Sequence, residues 1–132
     1  MKGKVFLVEW DAKVAEARAS SLRREGFRVD VESENGGRAY RAIRTSVPDI
    51  VVLDLRRKPS HGREVGGALR ELKATRDVPI LCIEEDADAR EATRIKIPDA
   101  MFVGDEAELA GSIGEITRPA PPPPKSIRKI VV

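Results

Sequence analysis

The chain has 132 residues, 41% of them hydrophobic and 35% charged, with 24 Lys+Arg against 22 Asp+Glu and a net charge of +2. That length and mixture fit one globular domain whose core stands without disulfides or structural metal, and they leave no room for two catalytic domains. A charge so near zero makes no case for nucleic acid, and the single cysteine, Cys82, excludes a disulfide framework or a multi-cysteine zinc site.

The first apolar run, Val5-Phe6-Leu7-Val8, follows only Met1-Lys2-Gly3-Lys4. Neither a signal peptide nor a membrane span is expected from so short a run, which points to a cytoplasmic protein. The run does not alternate with polar residues, so it reads as a strand buried on both faces. Ala12 to Glu25 is rich in Ala, Arg and Glu and stops at Gly26, a good helix terminator. Phe27-Arg28-Val29-Asp30-Val31 alternates, as an edge strand does. Gly36-Gly37 reads as a turn, followed by a short helical face of Ala39, Ala42 and Ile43 that ends before Pro48.

Ile50-Val51-Val52-Leu53 is a second doubly buried strand. Val65, Ala68, Leu69 and Leu72 match the helical template i, i+3, i+4, i+7. Gly66-Gly67 falls inside that helix, where each glycine costs about 1 kcal/mol relative to alanine unless close packing requires it. Ile80-Leu81-Cys82-Ile83 is another buried strand, with Cys82 a small hydrophobe in it. Residues 87–96 are helical by propensity but nearly without an apolar face, which predicts light packing. Met101-Phe102-Val103 makes the last strand, and Leu109, Ala110, Ile113 and Ile116 the last helix. Residues 118–124 contain five prolines and lead into a short basic end. Residues 1–117 are therefore expected to form the domain, with 118–132 as a stiff, Pro-rich linker or tail.

Five strand–helix alternations call for a parallel sheet with helices on both faces and right-handed crossovers. The fold class is α/β, flavodoxin-like, with strand order 2-1-3-4-5 and a crevice at the carboxyl ends of the first and third strands. Acidic residues collect at those ends: Glu9 and Asp11 after the first strand, Asp54 at the third and Glu84 at the fourth. Such a set suits a hard cation such as Mg2+, and a carboxylate beside one suits attack on a phosphoryl group. Asp11, directly before a helix, also reads as an N-cap. His61, between Ser60 and Gly62, reads as an exposed loop residue, and Trp10 either stacks on a ligand or covers the crevice.

The segments Val5 to Asp11 and Pro48 to Leu55, then Pro59 and Gly62, then Val78 to Ile83, resemble the receiver domain of bacterial response regulators, over residues 4–116. The resemblance implies a CheY-like single domain. It puts Asp54 in the phosphoacceptor position and Glu9 in the first of two acidic positions that hold Mg2+. It also implies departures: Trp10 stands at the second acidic position, Glu84 at the hydroxyl position, and Gly104 and Asp105 at the lysine and proline positions. Pro59 comes one residue late, which alters the loop Leu55 to Lys58.

On this reading the pocket is too negative. A carboxylate at ~5 Å in an effective dielectric of ~20 repels each unit of phosphoryl charge by roughly 3 kcal/mol, and Glu84 is placed there. Arg56 and Arg57 read as a solvated run, with replacement of the missing charge as the alternative. Phe102, the aromatic nearest the family's coupling position, reads as core. The expected function is a receiver-like signalling module of a two-component phosphorelay with a degenerate pocket, not an enzyme. It would dock a protein partner, a signalling protein or a histidine kinase, through residues 87–116. A working phosphoacceptor loaded on Asp54 by a histidine kinase is the alternative. A metal-assisted hydrolase on Glu9, Asp54 and Glu84 is the remote one. No cofactor is required; Mg2+, if held, would sit on Glu9 and Asp54. Neither membrane nor nucleic acid is an expected partner, and a homodimer is compatible with the reading.

Overall fold

A computed structural model describes residues 2–118. The five strands are β1 (Lys4–Val8), β2 (Arg28–Glu32), β3 (Ile50–Asp54), β4 (Ile80–Ile83) and β5 (Met101–Val103). They alternate with α1 (Ala12–Arg24), α2 (Gly36–Thr45), α3 (Pro59–Glu71), α4 (Ala87–Lys96) and α5 (Leu109–Thr117). A single turn of 3-10 helix, Glu106–Glu108, precedes α5. The sheet is parallel throughout, in the order β2-β1-β3-β4-β5. That is the expected strand order.

Residues that alternate along the three inner strands divide between two cores. Val5, Leu7, Ile50, Val52, Leu81 and Ile83 face α1 and α5, meeting Ala19, Leu22, Leu109 and Ile113. Phe6, Val8, Val51, Leu53, Ile80 and Cys82 face the other layer, meeting Ala39 and Ile43 of α2 and Val65 and Leu69 of α3. Each fully buried Leu or Ile contributes about 1.5–3 kcal/mol, so these runs are apolar at every position because both faces are covered. Cys82 lies within this core, and burial pushes its thiol up to about 12.

Helix ends follow local chemistry. At the end of α1, Gly26 takes φ of +101°, a left-handed conformation open to glycine. Gly36-Gly37 forms the first turn of α2, not a free turn, because Asn35 caps it by accepting from the Arg38 N–H at 3.0 Å. Gly66 is where a glycine is needed: a β-carbon there would collide with the Ile97 side chain and approach Leu53 Cδ1 to 3.3 Å. Leu72 caps α3 and is half-buried, one step beyond the helical face assigned to it.

α4 is the lightly held helix, with Thr93 as its one buried residue and Ile95 82% exposed. Phe102 departs from the expected core placement. It is half-buried at the sheet edge, with the Arg90 and Arg94 guanidiniums 5.2 and 4.9 Å from its ring centroid. β5 is too short and too near the edge to bury it fully. No helix among the described residues is long and apolar enough to cross a membrane. The Pro-rich segment from residue 119 onward lies outside the described residues.

Candidate functional site

The adjacent carboxyl ends of β1 and β3 bring Glu9 and Asp54 together, buried at 0% and 1% exposed. Strands buried on both faces deliver these acids where water cannot solvate them, so each needs partners within the protein. The partners are three arginines. Arg18 of α1 donates from Nη1 to Glu9 Oε2 at 2.9 Å and to Asp54 Oδ2 at 2.8 Å. Its Nη2 reaches Glu106, in the turn after β5. Arg56 grips Asp54 with both ends of its fork, Nε to Oδ1 at 3.1 Å and Nη2 to Oδ2 at 2.9 Å, and its backbone N–H adds a third bond to Oδ1 at 2.9 Å. Arg57 Nη1 donates to Glu9 Oε1 at 2.9 Å, an oxygen that also accepts from the Asp11 N–H at 3.1 Å.

The loop that carries Arg56 and Arg57 turns through Lys58, whose φ of 46° is left-handed, into Pro59 at the start of α3. The altered spacing before Pro59 is thus accommodated by backbone, and both arginines fold inward instead of forming a solvated run. This corrects the expectation of a pocket short of positive charge. Arg18 was not among the sequence candidates. Its one sequence signal is helical spacing: with Ala15, Ala19 and Leu22 it lies on the buried stripe of α1, where an arginine requires acids opposite.

The two carboxyls are pulled apart electrostatically. For Glu9, burial is the largest influence, followed by the Asp54 carboxylate; these push it up to about 7 against the Asp11 amide and Arg57. Burial also acts to raise Asp54, but the hydrogen bonds of Arg56, then those with Glu9 and Arg18, outweigh it and hold Asp54 well below the usual carboxylate range. Burial lowers Arg18, yet Asp54 and Glu106 reverse that and leave its guanidinium above its ordinary value.

The other predicted site residues lie elsewhere. Asp11 caps α1 by accepting from the Lys13 and Val14 N–H groups at 2.9 and 3.1 Å, so its carboxylate is spent on the helix end and not on the pocket. Glu84 is buried but turned onto its own loop, where Oε2 accepts from the Asp86 N–H at 3.2 Å. It makes no hydrogen bond to Asp54 or to the three arginines. Among the described residues no three of His, Cys, Asp and Glu group to hold a metal ion, which removes the hydrolase cluster of Glu9, Asp54 and Glu84. His61 belongs to α3 and not to a loop, though it is exposed as expected. Trp10 meets it edge-on, 5.8 Å between centroids, and packs toward Gly36.

Divalent cations of the Mg2+ type need carboxylate lone pairs directed into a shared space. Here Arg18 Nη1 fills the space between Glu9 and Asp54, and Trp10 brings no oxygen. The residues present do not fit Mg2+. Asp54 as a nucleophile is equally occupied: each of its oxygens accepts two hydrogen bonds, using the two lone pairs that each possesses.

Solved structures with the same architecture include the chemotaxis protein CheY4 of Vibrio cholerae, with a TM-score of 0.73, 16% identity and coverage of 86% of this chain and 97% of that one. The receiver domain of HemR from Leptospira biflexa superposes with a TM-score of 0.71 and 22% identity, over 90% of this chain and 97% of that one. The response regulator TrrA of Thermotoga maritima, solved with Mg2+ and BeF, gives a TM-score of 0.69 and 22% identity over 86% and 97%. Among curated proteins, the DNA-binding response regulators MtrA of Mycobacterium tuberculosis and Mycobacterium leprae are 35% identical over 88 residues. The match takes in 67% of this chain but spans only 37% of those relatives. No protein-family model matches.

Proposed function

The chain is a response-regulator receiver domain with the CheY-like fold, and from that premise we propose that it works in two-component signalling as a protein-docking module with a locked phosphorylation pocket. One observation carries the proposal: Arg18 Nη1 donates to Glu9 and Asp54 at once. Phosphoryl transfer to an aspartate needs a free lone pair in line with phosphorus and a cation to gather the transferring oxygens. Asp54 offers neither a free lone pair nor its ordinary basicity, since the arginines engage both of its oxygens.

Docking is assigned to residues 87–116 in the cytoplasm, with a signalling protein or a histidine kinase as the partner class. Support comes from the lightly anchored α4, the exposed Ile95, and Phe102 beneath two guanidiniums, which supply apolar, cationic and aromatic groups within residues 87–116. A helix held by so few contacts repacks against a partner at modest cost.

The test is intact-mass measurement after incubation with acetyl phosphate, with and without Mg2+. The expected spectrum shows unmodified protein in both. A metal-dependent adduct that disappears in Asp54→Ala would replace this proposal with an ordinary phosphoacceptor. An Asp54-dependent adduct formed without metal would assign the arginines to metal-free phosphoryl capture, and would equally overturn the lock.

A further inference from the structure

We propose that Arg18 is a built-in cation that takes the place of a divalent metal in this pocket, so that α1 itself permanently closes the Glu9–Asp54 acid pair. The inference rests on the receiver reading, but it concerns what fills the acid pair and not whether Asp54 takes up a phosphoryl group.

The position of Arg18 is the first ground. It stands on the stripe of α1 that otherwise holds Ala15, Ala19 and Leu22, with only 3% of its side chain exposed. Burying a guanidinium costs several kcal/mol unless acids meet it. Its hydrogen bonds run to acids of three separate elements: Glu9 after β1, Asp54 at the end of β3, and Glu106 in the turn after β5. Its Nε, also buried, has no partner among the described residues. The side chain is thus placed to serve the carboxylates, at the expense of one of its own donors.

Charge is the second ground. A divalent ion would bring +2 to the pair of acids. Arg18, Arg56 and Arg57 together bring +3 against Glu9, Asp54 and the more exposed Glu106, so the two buried acids already meet at least the charge of a divalent ion, with Arg56 Nη2 2.9 Å from Asp54 Oδ2 and Arg57 Nη1 2.9 Å from Glu9 Oε1. A metal ion exchanges with solvent, whereas a guanidinium tethered to a packed helix does not. The pocket is therefore charge-compensated at all times, independent of the metal in solution.

Mn2+ is a suitable probe, because it broadens nearby NMR signals. In the wild-type full chain, titration with Mn2+ to millimolar levels should leave the amides of residues 9–11 and 54–57 unbroadened. Selective broadening there would overturn the proposal. Arg18→Ala should bind Mn2+ roughly tenfold or more tightly than wild type, a change equal to about 1.4 kcal/mol, and adding Glu9→Gln should abolish the gain. A folded Arg18→Ala with wild-type affinity would also overturn it. If Arg18→Ala does not fold, the wild-type titration decides by itself. No phosphodonor enters these measurements, so broadening by Mn2+ leaves the mass result standing, and an Asp54 adduct formed without metal leaves the Mn2+ result standing, whereas a metal-dependent adduct would count against both.

Discussion

Arg18 Nη1 lies 2.8 Å from Asp54 Oδ2, an ion pair that joins residues 36 apart and is closed to solvent on both sides. Removing one member of a buried pair leaves an uncompensated charge, which costs about 3–5 kcal/mol. Arg18→Ala should therefore lose stability on that scale in urea denaturation. Glu16→Ala, which breaks a solvent-exposed contact with Arg23, should change it by at most about 1 kcal/mol. Equal losses in the two variants would mean that Arg18 is not the keystone of the pocket.

The acid pair gives stability a defined pH dependence. The folded-state pKa of Glu9, about 7, lies above its ordinary 4.5, so the native protein holds the extra proton between those values. Its contribution is fullest below about 4.5 and declines as pH rises toward 7. Asp54, held below its ordinary 3.8, contributes above that value and loses its contribution as pH falls further. Urea midpoints across this range should show Glu9→Gln flattening the decline between about 4.5 and 7 while leaving the acid limb in place. Parallel curves for the two proteins would count against the raised Glu9.

Adjacent glycines in α3 should respond in opposite senses. Gly66→Ala drives a methyl group into Ile97 and should cost about 1–3 kcal/mol. Gly67→Ala meets Lys96 Cβ at 3.8 Å and the Lys96 carbonyl oxygen at 4.0 Å, both ordinary contacts, and should gain up to about 1 kcal/mol from helix propensity. Thermal midpoints of the two variants check both signs.

Asp11→Ala removes the cap of α1 and should cost about 1 kcal/mol. It should leave the carboxyl titrations of Glu9 and Asp54 in place, because the Asp11 side chain does not bond to either acid. A large displacement of either titration, followed by carbon-detected NMR, would return Asp11 to the acidic pocket.

Hydrogen exchange should find α4 the least protected of the five helices, since only Thr93 is buried in it, whereas α1 buries four residues. Slower exchange in α4 than in α1 would argue against a readily repacked docking element.

The fold was legible because burial on both faces writes itself as uninterrupted apolar runs: all five strands lie within a residue of their predicted positions. Gly36-Gly37 misled because capping by Asn35 outweighs the poor helix propensity of two glycines. The site was legible in its acids and not in its bases. Glu9 and Asp54 announce themselves as charges terminating apolar strands, since the backbone alone places them. Arg18, Arg56 and Arg57 reach the same point through long side chains from α1 and from a loop, so no local pattern marks their direction. Glu84 failed in the opposite way: the strand placed it correctly, but its carboxylate bonds to the backbone two residues ahead.

Cys82 has a practical consequence of its own. It is fully enclosed in β4, with its thiol raised to about 12, and so carries almost no thiolate at neutral pH. Maleimides and spin labels will pass over it in the folded protein. A cysteine introduced on α4 thus becomes the sole reporter without any change to the native strand.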